Sequence, residues 1–161
     1  NLNEKEQQDK LMVNTPDDLI GKAAPSWQLK DENGRTFNLS DFKGKNIILM
    51  FTGIGCGPCK QAIPYLNELT EKYDRNKFQI IALECWKRKA TDIKRYKKHN
   101  NILFDMLADG SSVQDSYNLN GSVPHFFFIN ENGIITHHFN GWTNSMAEDF
   151  TKILDSLEIT K

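Results

Sequence analysis

Cysteine is scarce: only Cys56, Cys59 and Cys85 occur among 161 residues. That is too few for a disulfide framework, and the spacing does not supply the two ligand pairs a structural zinc site usually has. Excess charge of either sign is missing too. Lys and Arg number 20 against 21 Asp and Glu, a net charge of -1, which argues against a general nucleic-acid surface or an anionic-membrane surface. No stretch approaches the roughly 18 apolar residues needed to span a bilayer, and no charged-then-apolar leader opens the chain. The chain starts at Asn1 without Met, so a processed or trimmed form is expected, its targeting segment lying outside this sequence. Internal repeats and low-complexity linkers are likewise lacking, which makes one domain the economical count. With 39% hydrophobic residues the chain can bury a core without staples.

What is present centres on Cys56-Gly57-Pro58-Cys59, which follows the apolar run Ile47-Ile48-Leu49-Met50-Phe51 and precedes a stretch of helical periodicity. Two thiols with two residues between them at a helix start can close a disulfide within one turn, and the helix N-terminus stabilises a thiolate on the first. The chain reads first as a thiol-disulfide exchanger. Around this motif, residues 1–19 are polar and read as a short helix or extension outside the core. Trp27-Gln28-Leu29 and Thr36-Phe37-Asn38-Leu39 alternate about Asn33-Gly34, which predicts a tight hairpin. A buried strand at 47–51 leads into a helix over 57–73 carrying Ile63, Leu66, Leu69 and Tyr73. Further expected elements are a strand at 78–83, a basic helix over 90–99 and a short strand Ile102-Leu103-Phe104. A second hairpin, 126–129 with 134–139, precedes a closing helix with Met146, Phe150, Ile153, Leu154 and Leu157 on one face. The sum is an α/β fold: a central mixed sheet with helices on both faces and an N-terminal hairpin.

Over roughly residues 20–158 the chain resembles the thioredoxin superfamily, within it the TlpA/ResA-like extracytoplasmic branch. The resemblance rests on Ile20-Gly21-Lys22-Ala23-Ala24-Pro25-Ser26-Trp27-Gln28-Leu29, on Leu39-Ser40-Asp41-Phe42-Lys43-Gly44-Lys45, on the dithiol with Pro64 five residues on, and on Val123-Pro124. It implies residues 20–161 as a thioredoxin-like domain, with Cys56 attacking a substrate disulfide and Cys59 resolving the mixed disulfide. Gly57-Pro58 resembles the pair of reducing thioredoxins, so protein-disulfide reductase is the preferred activity. Pro124 is implied to be cis, offering the backbone of Val123 to an extended substrate segment. His125 follows where relatives often have Thr, placed either to tune the thiols or to satisfy a backbone partner. Trp142 is expected to line the groove or to serve as a core-edge aromatic. No cofactor is implied. The expected partners are an oxidised envelope protein such as an apocytochrome and a membrane thiol donor. The expected setting is the periplasm or cell envelope, for a monomer tethered by its polar extension.

Three departures from the family pattern stand out. Gly55 replaces the usual Trp before the first cysteine, an expected loss of an apolar shelf that opens the surface. Met50 and Ala62 occupy the two positions where relatives keep an acid, which leaves Glu84, at the end of the second central strand, as the candidate proton acceptor for Cys59. The structural alternative makes Glu84 a solvated strand end and Cys85 a small core residue. A half zinc site completed by His99, His125, His137 or His138 is a competing reading of the cysteine pair. A peroxidase would need Thr where Gly53 stands, and the Gly53-Ile54-Gly55 run lacks nucleotide-loop spacing. A binding module with a decayed redox role stays open. The basic stretch Lys87, Arg88, Lys89, Lys94, Arg95, Lys97 and Lys98 reads as a solvated helix face or a dock for an acidic partner.

Overall fold

A computed structural model describes residues 3–5 and 14–161, so most of the polar extension expected over 1–19 lies outside the described residues. Its described end, Pro16–Leu19, is a single 3-10 turn with no buried residue. The Asp18 carboxylate accepts the Thr15 N–H at 2.8 Å, so the turn is capped from within.

Strands β1 (Gln28–Lys30) and β2 (Thr36–Asn38) pair antiparallel with Leu29 opposite Phe37. The connection is wider than the tight turn expected at Asn33-Gly34. The Asp31 carboxylate accepts the N–H groups of Asn33 and Arg35, both at 2.9 Å, and sets a broader loop around itself.

The main sheet holds β3 (Asn46–Thr52), β4 (Phe78–Glu84), β5 (Asp105–Leu107), β6 (His125–Ile129) and β7 (Ile135–Asn140) in the order β5-β4-β3-β6-β7. β3, β4 and β5 run parallel, while β6 is antiparallel to both β3 and β7. Helix α1 (Gly57–Lys72) connects β3 to β4, α2 (Ala90–His99) connects β4 to β5, and α3 (Met146–Asp155) follows β7. The continuous apolar run of β3 reflects its place at the centre of the sheet, buried on both sides.

The short strand expected at Ile102–Phe104 forms three residues later. Backbone groups of 102–103 are satisfied elsewhere: Ile102 N–H donates to Lys97 O, Leu103 N–H to the Asn67 side chain, and Arg75 donates to Leu103 O. Only from Asp105 is the backbone free to pair with Ile81 of β4.

Coverage of the two sheet faces also differs from expectation. Ile48, Met50, Ile80, Ala82, Phe126 and Phe128 share one buried cluster with side chains of all three α-helices. The alternate residues Ile47, Leu49, Phe51, Ile81, Leu83 and Phe127 pack instead against Trp27, Leu29, Phe42, Val113 and Tyr117. Among the described residues, the second face is thus covered by the N-terminal hairpin and the 3-10 turns Leu39–Phe42, Gly110–Ser112 and Gln114–Tyr117. No helix among the described residues is long and apolar enough to cross a membrane.

This topology gathers three loops. Thr52 pairs with Glu84, so the segments after β3 and β4 leave the sheet side by side at its carboxyl edge. His125 pairs with Phe51, which brings the Val123-Pro124 segment to the same edge.

Candidate active site

Cys56 caps α1. Its backbone is extended (φ -82, ψ 115), and its sulfur accepts the Cys59 N–H at 3.2 Å, the role an Asp or Ser side chain plays at other helix starts. Pro58 occupies the first turn, where its missing N–H leaves no intrahelical bond unmade. Cys56 and Cys59 are joined in a disulfide, with Cα atoms 5.3 Å apart. Gly55, Gly57 and Pro58 are exposed, Cys56 is 6% exposed and Cys59 only 1%, so Cys56 is the outer sulfur. The Val123-Pro124 bond is cis, as the resemblance implies, and Val123 O lies 4.0 Å from Cys56 Sγ.

Glu84 is fully buried rather than a solvated strand end. One carboxylate oxygen accepts the Ile54 N–H at 2.6 Å; the other accepts the N–H groups of Trp86 at 2.7 Å and Arg88 at 3.1 Å. Three backbone donors from the two loops beside the dithiol therefore converge on one side chain. A buried carboxylate is tolerated here because its charge meets charge-assisted hydrogen bonds.

The apolar shelf expected to be missing at Gly55 is supplied from the neighbouring loop. Trp86 lies over the glycines: a Cβ at Gly53 would come within 2.5–2.9 Å of its indole, and one at Gly55 would be 3.8 Å away. Trp86 was not singled out in the sequence. The signal was there, since a parallel β3/β4 pair sets the residues after Thr52 beside those after Glu84, and a loop of glycines leaves room for a large neighbour. Gly53→Ala is expected to displace the indole and cost about 1–3 kcal/mol. Trp86 is 45% exposed while Trp27 and Trp142 are each 7% exposed, so its displacement is readable as a red-shifted emission. In a Trp86→Ala background the same substitution is expected to be close to neutral in urea unfolding, and equal penalties in both backgrounds would rule the contact out.

On the other side of the site, His125 is buried and closes a chain of hydrogen bonds. Its Nε2 lies 2.9 Å from Ser122 Oγ, its Nδ1 lies 2.8 Å from His138 Nε2, and His138 Nδ1 lies 2.8 Å from Asp17 Oδ1. The Asp17 carboxylate only accepts, so His138 donates to it through Nδ1; the single Ser122 hydroxyl proton goes to Asn120 Oδ1, which leaves Ser122 Oγ to accept from the Nε2–H of His125. The Phe127 ring packs on His138, and Ser122 Oγ also lies 2.8 Å from Asn120 Oδ1. Sequence reasoning found His125 but not Asp17, Ser122 or His138 as its partners. The hairpin register, with Phe127 opposite His138 and His125 opposite Asn140, puts both imidazoles on one face.

Burial first, and His138 second, push the His125 imidazole down to about 4. Between that value and an unfolded value of about 6.5, the unfolded chain binds a proton that the folded one refuses. Stability from a neutral His125 is therefore full above about pH 6.5 and is lost as pH falls toward 4, by up to about 3 kcal/mol. Urea unfolding of wild type and His125→Gln at pH 7, 5.5 and 4 checks this. The difference between the two proteins should shrink or reverse as pH falls, and a constant difference would refute it.

Cys85 packs in the second core cluster, and its thiol donates to Leu83 O at 3.3 Å. Burial and the Glu84 charge push that thiol up to about 12, leaving no thiolate at neutral pH. Trp142 sits in the cluster that contains both Cys56 and Cys59, with ring centroids 5.7 Å from Phe126 and 5.5 Å from Phe150; its Nε1–H donates to Asn144 Oδ1. Its contacts are those of a core-edge aromatic. Of the histidines weighed for a half zinc site, His125 and His138 are bonded to each other, and His137 lies beside Thr136 Oγ1.

A mixed sheet with a disulfide-forming Cys-Gly-Pro-Cys pair at the first helix, facing a cis-proline loop, defines a thiol-disulfide oxidoreductase of the thioredoxin superfamily. Residues 20–138 match the AhpC/TSA family, and the chain belongs to it. It is 34% identical over 137 residues to the thiol-disulfide oxidoreductase ResA of Bacillus thuringiensis subsp. konkukian, covering 83% of this chain and 77% of that protein. The ResA of Bacillus subtilis is 30% identical over 136 residues, covering 83% and 75%. Among solved structures it is similar to a protein described as the thiol:disulfide interchange protein DsbE from Chlorobium tepidum, with a TM-score of 0.78, 25% identity and coverage of 85% and 96%.

Proposed function

We propose that the chain is a protein-disulfide reductase of the periplasm or cell envelope, acting as a monomer on oxidised envelope proteins such as an apocytochrome. The observation that carries this is the position of the outer sulfur, Cys56, at the tip of α1 and 4.0 Å from Val123 O, where an extended substrate segment can lie against it. Residues 20–161 form the catalytic unit in this reading, and residues 1–19 serve as a tether.

The Cys56 thiolate, stabilised by the α1 N-terminus and the Cys59 N–H, attacks one sulfur of a substrate disulfide and releases the other as a thiolate. Cys59 then loses its proton and displaces the substrate sulfur, closing the Cys56–Cys59 disulfide. Two electrons pass to the substrate, whose two sulfurs each take a proton. A membrane thiol donor returns the pair to the reduced state by the reverse exchange. Glu84 enters this scheme as a positioning residue, because both its oxygens are engaged by the Ile54, Trp86 and Arg88 N–H groups. Val123 offers backbone pairing to the substrate, Gly55 and Gly57 leave the approach to Cys56 open, and Trp142 packs in the core cluster that holds both cysteines.

The test is the equilibrium reduction potential of the Cys56–Cys59 pair, titrated in wild type and in a Cys85→Ala control. A value near the roughly -270 mV of thioredoxin supports a reductase. A value near the roughly -120 mV of strong oxidants would reverse the assigned direction. Failure to form a reversible disulfide would remove the activity altogether.

A further inference from the structure

The basic stretch after β4 does not behave as a uniformly solvated helix face. Lys97 turns toward Glu32, with which it pairs at 2.8 Å. Among the described residues, Lys87, Arg88, Lys89, Lys94, Arg95 and Lys98 form no ion pair with any carboxylate. Asp92, the acid on this helix, uses its carboxylate to accept the Lys89 N–H at the α2 start. One stripe of α2, Asp92, Arg95, Tyr96 and His99, joins Ile54 and Arg88 in lining a cavity of about 350 Å³. That cavity opens beside the dithiol: Arg88 Nη2 lies 4.0 Å, and the Trp86 ring 3.8 Å, from the Cβ position of Gly55, the residue next to Cys56. Trp86 is also one of four large hydrophobic residues left exposed among those described. An exposed indole and the unpaired Arg88 guanidinium thus stand together one residue from the outer sulfur, with Arg95 on the wall of the same cavity.

We propose that Trp86, Arg88 and Arg95 form the substrate-recognition surface for a protein segment carrying an acidic residue close to its oxidised cysteine. This rests on the exchange reaction proposed for Cys56 and Cys59, and names the class of substrate it acts on. Trp86 covers the apolar part of the segment, and the guanidiniums take the carboxylate in the planar, two-point geometry for which Arg is suited. An extended segment advances about 3.3 Å per residue. An acid one or two positions from the cysteine therefore falls within reach of this cavity while the cysteine meets Cys56. Charge complementarity of this kind acts chiefly on the encounter rate and is weakened by salt.

The experiment compares three oxidised probes with the reduced protein by stopped flow: two peptide disulfides identical except for Glu or Lys beside the cysteine, and the neutral hydroxyethyl disulfide. At low ionic strength the acidic peptide is expected to react about tenfold faster than the basic one. The ratio should fall toward one as salt rises, and Arg88→Glu with Arg95→Glu should invert it. Equal rates for the two peptides, with hydroxyethyl disulfide still reduced, would overturn the recognition surface and leave the reductase intact. Failure to reduce all three probes would overturn the exchange reaction and the recognition surface with it. Equal peptide rates together with charge-dependent binding to phosphatidylserine vesicles would assign the basic residues to a lipid surface instead.

Discussion

Replacing Cys59 with Ser is expected to turn exchange into capture. Cys56 would still attack, but nothing would displace the substrate sulfur, so a mixed disulfide of one protein to one substrate should accumulate and multiple turnover should stop. Cys56→Ser is expected to abolish both capture and turnover, because Cys59 is 1% exposed and lies beneath the outer sulfur. Non-reducing electrophoresis and mass mapping of the adduct give the result directly. Wild-type turnover by Cys59→Ser, or an adduct mapped to Cys85, would break the assignment of roles. The second outcome is opposed by the burial of Cys85 and by the Glu84 charge beside it, which together keep it a thiol.

The largest stability effect is expected at Glu84. Truncation to Ala orphans the N–H groups of Ile54, Trp86 and Arg88, and an unsatisfied buried donor costs about 1–3 kcal/mol. Even with partial access of water, a loss of about 3–6 kcal/mol is expected, a large share of the roughly 5–15 kcal/mol by which folded domains are stable. Glu84→Gln should fall between. Its carbonyl can still accept from Trp86 and Arg88, while its amide would face the Ile54 N–H donor to donor. Denaturant unfolding at pH 7 orders the three proteins. A Gln variant of unchanged stability that fails to resolve the mixed disulfide would return Glu84 to the role of proton acceptor.

Much of this was legible in the sequence because local and global signals agree. The run 47–51 is apolar on both faces, which only a central strand explains, and the Cys-Gly-Pro-Cys motif after it fixes where the helix starts. The second hairpin, 126–129 with 134–139, was legible from its two apolar runs. Three things escaped. The strand after α2 began at Asp105 rather than Ile102, because Asn67 and Arg75 side chains satisfy backbone groups that no propensity would place out of the ladder. The second sheet face is covered by 3-10 turns and a hairpin, whose short elements leave no periodicity to read. Trp86 is adjacent in space to the dithiol loop but some thirty residues away in sequence, and Glu84, read as a candidate at the site, did not show its burial or its three backbone donors. A carboxylate at a strand end looks solvated until the loops that close over it are known.

Because the indole beside the dithiol loop comes from position 86 and not from position 55, the proposed recognition surface and the motif that exchanges electrons are carried on separate stretches of chain. In proteins with Trp immediately before the first cysteine, any change in that surface alters the loop that sets the reacting sulfur. Here residues 86, 88 and 95 can be randomised as a library while Cys56-Gly57-Pro58-Cys59 stays untouched. Under the recognition proposed above, partner choice is thereby open to redesign with the sequence of the dithiol motif unchanged.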